Sequence, residues 1–194
     1  MTKSVVLASA SPRRTALLKQ MNIAHRILPA DIDETPKDGE SPDTLVKRLA
    51  AEKALAVKAK LTQQGEMTNE TVILASDTLI AFNGNSVGKP ENKADAQRIL
   101  RMLSGNKHEV LTAISAVSNA KQCTEVINTY VEFASLTDAQ IEAYWETGEP
   151  ADKAGSYAIQ GIGGEFVVSI NGSASAVVGL PLYETRQLLN AFGV

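Results

Sequence analysis

Ser9-Ala10-Ser11-Pro12-Arg13-Arg14 places two arginines in what reads as the first turn of a helix, directly after an apolar run. Free backbone N–H groups and the helix dipole make such an end attractive to anions, and the same dipole disfavours arginines there by a few tenths to ~1 kcal/mol. Either an anion draws them, or they point into water. Lys53 poses a similar choice. At 100° per residue from Val46, the side chains of Leu49, Ala50, Ala54, Val57 and Leu61 share one broad face, and Lys53 lies about 20° from its reference direction. A lysine there either snorkels past its neighbours or meets a negative partner in a cleft. Asp77 follows a strongly apolar run and is expected where a strand ends, while Asp33 and Glu34 fall in a turn-rich stretch. Carboxylates brought together from separate elements suit Mg²⁺, which takes few protein oxygens and completes its shell with water and phosphate. Taken singly, each acid is more often a cap or turn residue. In Gly88-Lys89-Pro90 the proline fixes a turn from which Lys89 could reach a phosphate as a point charge.

Other chemistries lack their motifs. Gly161-Ile162-Gly163-Gly164 has the wrong spacing for a dinucleotide fingerprint, and neither a phosphate-loop Gly-Lys-Ser/Thr nor a Gly-x-Ser-x-Gly elbow occurs. Cys123 has no activating neighbours in sequence, and His25 and His108 lack metal-ligand spacing. His108 is expected to make a structural hydrogen bond.

These groups need a scaffold, and the remaining sequence supplies one. Val5 to Ala8 reads as a buried strand feeding a helix that Ser11 caps and Pro12 begins. A second strand near Arg26 to Leu28 precedes a long helix from Pro42 to Gln64 with Ser41 as cap. Thr71 to Ala75 reads as a central strand halting at Ser76-Asp77-Thr78, with Leu79 to Phe82 and Ser86-Val87 as hairpin arms. A helix over Glu91 to Leu103, long strands over His108 to Val117 and Glu125 to Phe133, and a helix over Thr137 to Glu146 follow. Short strands at Tyr157 to Ile159 and Phe166 to Ile170, then a helix over Leu182 to Phe192, complete the chain. Strands and helices interleave around one hairpin, so the expected class is α/β with a mixed sheet.

Composition narrows the field further. The 194 residues are 44% apolar and 21% charged, with 19 Lys plus Arg against 22 Asp plus Glu and a net charge of −3. That profile fits one folded unit over residues 1–194 and offers no broad basic field for nucleic acid or anionic membrane. No stretch approaches the ~20 apolar residues of a membrane span, and the apolar run Val5 to Ala8 near the start is too short for a signal-peptide core. A single cysteine suits a reducing compartment, so a cytoplasmic protein is expected.

Taken in order, the Ser-Ala-Ser-Pro-Arg-Arg run, Asp33-Glu34-Thr35-Pro36, Glu52-Lys53-Ala54, Ser76-Asp77-Thr78, Gly88-Lys89-Pro90, Ser104-Gly105 with His108, the segment from Gly148-Glu149-Pro150 to Gln160-Gly161, and Val178-Gly179-Leu180-Pro181 resemble the Maf family of nucleoside triphosphate pyrophosphatases. The resemblance spans nearly the whole chain. It implies an elongated two-lobed sheet with a central cleft, related to the inosine triphosphatase fold, and a homodimer. It also implies release of pyrophosphate from a nucleoside triphosphate with a divalent cation, Mg²⁺ or Mn²⁺. Asp77 matches the family's general base and Glu34 its partner carboxylate, both metal-facing. Arg13, Lys53 and Lys89 match the phosphate-binding cations, with Ser9, Ser11 and Arg14 beside them. Arg13, Thr78 and Ile159-Gln160-Gly161 are similar to the branch acting on dTTP and UTP, with modified uridine triphosphates as further candidates and Gln160 as reader of the pyrimidine. One departure is Ala174, where the family usually has Tyr after Asn-Gly-Ser. The competing readings are a nucleotide-binding regulator of septation and, against the net charge, a nucleic-acid enzyme.

Overall fold

Val5, Val6 and Leu7 are all buried, as a strand covered on both faces requires, and they form β1 (Ser4–Leu7) in the interior of a sheet. The structure, a computed structural model, describes residues 3–194; Met1 and Thr2 of the expected 1–194 unit lie outside the described residues. α1 (Pro12–Gln20) begins at Pro12, whose fixed φ suits the first helical position. Ser11 stands at the N-cap, but its side chain makes no cap bond, contrary to expectation; its own N–H donates to Ser9 Oγ at 3.1 Å. β2 (His25–Ile27) pairs parallel to β1. α2 (Pro42–Gln63) is capped as expected, Ser41 Oγ accepting from the Thr44 N–H at 3.3 Å.

β3 (Thr71–Phe82) runs parallel to β1 and turns into β4 (Asn85–Val87). α3 (Lys93–Leu103), β5 (Lys107–Val117), β6 (Gln122–Phe133) and α4 (Asp138–Glu146) follow, the last held by a capping box between Thr137 and Gln140. β7 (Val167–Asn171), α5 (Ala174–Val178) and α6 (Leu182–Ala191) close the chain. Among the described residues, seven strands form one mixed sheet in the order β2-β1-β3-β5-β6-β7, with β4 on β3. The expected α/β class with a mixed sheet is therefore observed.

Two further local expectations fail. Ser76-Asp77-Thr78 does not end a strand; β3 continues through it to Phe82, so Asp77 sits in mid-strand and not at the sheet's end. The triplet resembled a stop because its residues are polar, whereas β5 pairs with β3 continuously from Ile73 to Ala81 and supplies the hydrogen bonds that keep it extended. Tyr157 to Ile159 forms no strand. Before it, a 3₁₀ turn over Ala154–Ser156 puts Gly155 at φ 69° and Ser156 at φ 57°, which curls the chain away from the sheet.

The two faces of the sheet are packed differently. α2 covers one face with a continuous row, Leu45, Val46, Leu49 and Ala50 against Leu79, Ala81, Leu111 and Ala113, then Ala54, Val57 and Leu61 against Ile73 and Ala75. The opposite face carries two separate apolar clusters. Leu74 and Ile114 pack with Leu18, Leu180 and Leu189, while Ile80, Val110 and Phe133 pack with Leu100, Ile141 and Phe166. Between them runs a polar seam of Ser76, Thr78, Thr112 and Thr129, and the segment Ser173 to Gly179 is laid across it. Ser76 Oγ donates to the Gly179 carbonyl at 2.9 Å, Thr112 Oγ1 to the Ala176 carbonyl at 2.7 Å, and Thr129 Oγ1 accepts from the Ser173 N–H at 3.1 Å. Each bond nets ~1 kcal/mol, but each hydroxyl left bare would cost about 1–3 kcal/mol, so the seam specifies where this segment docks.

On its other edge β3 meets β1 only through Leu74 and β4 only from Ile80. The stretch between is a notch in the sheet, and the Ser9 to Arg14 turn enters beside it because the Ala8 N–H still donates to the Leu74 carbonyl, at 2.8 Å.

Candidate active site

Side chains alternate across a strand, so at the notch Asp77 faces α2 and Thr78 faces the polar seam. Lys53, seven residues after Val46, returns to the sheet-facing side of α2 and meets Asp77 there. Its Nζ lies 2.6 Å from Asp77 Oδ1 and 2.8 Å from Glu34 Oε1, with its side chain 12% exposed, Asp77's 10% and Glu34's 59%. The ammonium thus meets negative partners and does not snorkel to solvent. Glu34 is brought in by a tied loop. Asp33 Oδ1 accepts from the Thr35 N–H at 2.9 Å and its hydroxyl at 2.6 Å, which lowers the Asp33 pKa and uses that acid as a turn residue. Arg48 reaches from α2 to the Thr35 carbonyl at 3.1 Å and to both Glu40 oxygens at 2.7 and 2.8 Å, holding the Glu40 carboxyl down to about 2.

Across the strand, Arg14 is the centre of a second network. Nε donates to the Gly179 carbonyl at 2.9 Å, one terminal nitrogen to Ser9 Oγ at 3.2 Å and the other to Thr78 Oγ1 at 3.3 Å. Thr78 Oγ1 lies 3.0 Å from Thr112 Oγ1, whose proton is committed to the Ala176 carbonyl. The polarity therefore runs one way, from Arg14 to Thr78 to Thr112 to the backbone of α5. Burial draws the Arg14 pKa down, opposed first by the charge of Asp77, so the two networks feel each other across the strand. Gly179, at φ 123°, lets the chain pass close over Arg14; a Cβ there would lie 3.4 Å from Nε.

A cleft of about 730 Å³ opens beside the seam, within the range of small-molecule sites. Arg13, Arg14, Lys89 and Lys153 give it four cations, and Ile80, Val110, Tyr157 and Val177 an apolar floor. Ser11, Thr78 and Gln160 also line it. Arg13 and Lys89 are exposed at its surface, and the Gly88 carbonyl accepts from the Gly155 N–H at 3.0 Å, tying the Gly-Lys-Pro turn to the loop that carries Gln160. Ser9 joins through Arg14. Glu34, Lys53 and Asp77 do not line this cleft; they stand on the α2 side of the same strand, one residue from Thr78.

Among the described residues, no three His, Cys, Asp or Glu side chains come together as a metal cage. Glu34 and Asp77 nonetheless converge on one positive centre, the Lys53 ammonium, and two carboxylates suit Mg²⁺ or Mn²⁺ whose remaining positions go to water and phosphate.

Two contributors, Lys153 and Thr112, had not been singled out from sequence, and Glu149 and Gly179 had been named only as parts of longer motifs, with no role of their own. Lys153 is paired with Asp152, and Glu149 binds backbone amides of the Gln160 loop. The spacing of Glu149 and Lys153 carries no periodicity, and only their position in the Gly148 to Gly161 segment could have drawn attention to them. His108 makes the expected structural bond, Nε2 to the Tyr157 hydroxyl at 2.8 Å, and burial pulls its pKa down to about 4. Ala174 is exposed in the first turn of α5, where Ser173 supplies the cap, and it does not line the cleft. Cys123 is exposed.

A family model described as Maf-like protein matches residues 4–192. The dTTP/UTP pyrophosphatase of Pseudoalteromonas atlantica is 51% identical over 187 residues, covering 96% of this chain and 95% of that protein. The dTTP/UTP pyrophosphatase of Colwellia psychrerythraea is 51% identical over 97% of this chain and 88% of its own, and that of Anaeromyxobacter dehalogenans 49% identical over 100% and 96%. Among solved structures, the Staphylococcus aureus Ham1 protein aligns with 68% of this chain and 72% of its own at 15% identity and a TM-score of 0.43. No helix among the described residues is long and apolar enough to cross a membrane.

Proposed function

Since the chain belongs to the Maf family, we propose that it is a nucleoside triphosphate pyrophosphatase converting dTTP and UTP to their monophosphates and pyrophosphate. The observation that carries this reading is the placement of a cation-lined cleft and a carboxylate pair on the two sides of one notched strand. A triphosphate is a polyanion, and an acidic protein can hold it only through local cations such as Arg13, Arg14 and Lys89. The base then lies against the apolar floor near Gln160, and the phosphate chain passes the notch toward Asp77.

Water attacks the α-phosphorus. Its O–P bond forms as the α–β bridging bond breaks, pyrophosphate leaves, and Asp77 takes the proton. Glu34 shares the site with Asp77, and Lys53 offsets their charge as the anion approaches. Glu34 and Asp77 would hold a divalent cation, which would supply charge neutralisation for the phosphate. We also place the enzyme in the cytoplasm as a homodimer, supported by its lone cysteine and by exposed Val168 and Tyr130 near the β7 edge. Light scattering reads the assembly directly.

The decisive experiment presents purified protein and Mg²⁺ or Mn²⁺ with a panel of nucleoside triphosphates and detects pyrophosphate. Orthophosphate as the product would overturn the cleavage position, and full activity in excess EDTA would overturn the metal's part.

A further inference from the structure

The Gln160 loop is held from behind by one carboxylate. Glu149 Oε1 accepts the Ile162 N–H at 3.0 Å and Oε2 the Gly163 N–H at 3.0 Å, so both oxygens are spent on adjacent backbone amides. The Tyr144 hydroxyl, kept protonated by burial, lies beside the same carboxylate and accepts the Ala158 N–H at 3.1 Å. Space around this strut is closed. A methyl group on Gly161 would overlap Glu149 Oε1, and one on Gly163 would come within 2.6 Å of the Tyr144 hydroxyl.

The remaining amides of the loop can be accounted for one by one. Gly161 donates to the Ala158 carbonyl and Gly164 to the Gly161 carbonyl, each at 3.1 Å. Ile159 and Gln160 are left. Their N–H groups have no acceptor among the described residues, and both residues line the cleft.

We infer that Glu149 is a positioning residue for base selection, holding the loop so that the main-chain N–H groups of Ile159 and Gln160 meet the carbonyl oxygens of a uracil or thymine. This rests on the pyrimidine triphosphate reading of the site. The chemistry favours backbone donors for the task. A side-chain amide can rotate to exchange donor and acceptor, so Gln160 alone does not fix the polarity of the edge it reads. A peptide N–H cannot rotate that way. Cytosine puts an amino donor where uracil has its 4-carbonyl, so a fixed donor opposite that position accepts uracil and rejects cytosine. The Gln160 side chain then complements the edge as a second contact.

The test is kcat/KM for UTP and CTP in the full-length protein and in Glu149→Gln, Gly161→Ala and Gln160→Ala, with thermal unfolding of each. Glu149→Gln keeps the side chain's size but turns an NH₂ toward a backbone N–H. It is expected to lower kcat/KM for UTP by about 10- to 100-fold, mainly through KM, while CTP changes less than about threefold. Gly161→Ala attacks the same contact from the loop side and is expected to shift the UTP-to-CTP ratio in the same direction, which covers the case in which Glu149→Gln fails to fold. Gln160→Ala is expected to retain a preference for UTP. Equal losses on UTP and CTP in the strut variants, or complete loss of preference in Gln160→Ala, would overturn the inference. Wild-type protein that releases no pyrophosphate from UTP would instead overturn the functional reading beneath it.

Discussion

Replacing Lys53 with methionine keeps most of the stem while deleting the charge between Asp77 and Glu34. Breaking a buried ion pair from one side costs about 3–5 kcal/mol, because the surviving charge is left desolvated. Two features reduce that figure here. Glu34 is 59% exposed, so water replaces its lost partner at a cost of only about 0–1 kcal/mol. Asp77, with a side chain 10% exposed, keeps some compensation from the charge of Arg14 across the strand. The expected loss is therefore about 2–4 kcal/mol at pH 7, which for a domain of this size lowers Tm by roughly 4–16 °C. Thermal unfolding in EDTA reads this, and the double variant Lys53→Met/Asp77→Asn is expected to recover most of the loss, since no buried charge then lacks a partner. Added Mg²⁺ is expected to raise the Tm of Lys53→Met more than that of the wild type, because the ammonium no longer competes for the carboxylates. A Lys53→Met Tm within ~2 °C of wild type would refute the view that Lys53 neutralises Asp77, and a double variant no more stable than the single one would refute the coupling.

Asp77→Asn is expected to lower kcat at least ~100-fold while costing less stability than Lys53→Met, as the amide is a poor proton acceptor but Lys53 keeps Glu34 as a partner; near-normal turnover would move the base elsewhere. Thr112→Val is expected to cost about 1–3 kcal/mol by leaving the Thr78 hydroxyl without its acceptor and removing one of the two bonds to the Ala176 carbonyl, which keeps the Gly179 N–H, with chemical denaturation as the measurement. His108 gives a pH signature. Its folded pKa, about 4, lies below the unfolded value of about 6.5, so the unfolded chain takes up the proton first, and stability complete above pH 6.5 falls by up to ~3 kcal/mol as pH drops toward 4. His108→Gln is expected to remove that slope between pH 6.5 and 4; an unchanged slope would assign it to other groups.

The helices and long strands could be read from sequence because their residues answer to one repeating requirement. α2 ends within a residue of its expected limit, since Ser41 marks its start and the Val46 to Leu61 face sets its length. β3 was misjudged because Ser76, Asp77 and Thr78 are polar for reasons outside their own strand. Two of them close the seam beneath α5 and one meets a lysine on α2. A local window contains the hydroxyls and the carboxylate but not their partners, which lie between 24 and 103 positions away in sequence, as Lys53 with Asp77 and Gly179 with Ser76 illustrate. Tyr157 failed in the opposite way. Its β-favouring aromatic ring suggested a strand, but tertiary packing against His108 and Phe133 decides its place.

The same long-range pairing explains why the cations and carboxylates were legible as types but not as a geometry. The family resemblance, and not the spacing, turned Arg14 and Lys53 toward an anion, and in each the side chain already has protein partners that fix its direction. Arg14 is oriented by Ser9, Thr78 and Gly179, and Lys53 by Asp77 and Glu34. A guanidinium held by three acceptors has little rotamer freedom left to lose when a phosphate arrives, so part of the ordering cost of binding is met during folding. Arg13 and Lys89, exposed at the cleft surface, have no such support among the described residues. The cleft thus combines fixed charges near the strand with adaptable ones at its rim, a division set by which residues the polar seam can reach.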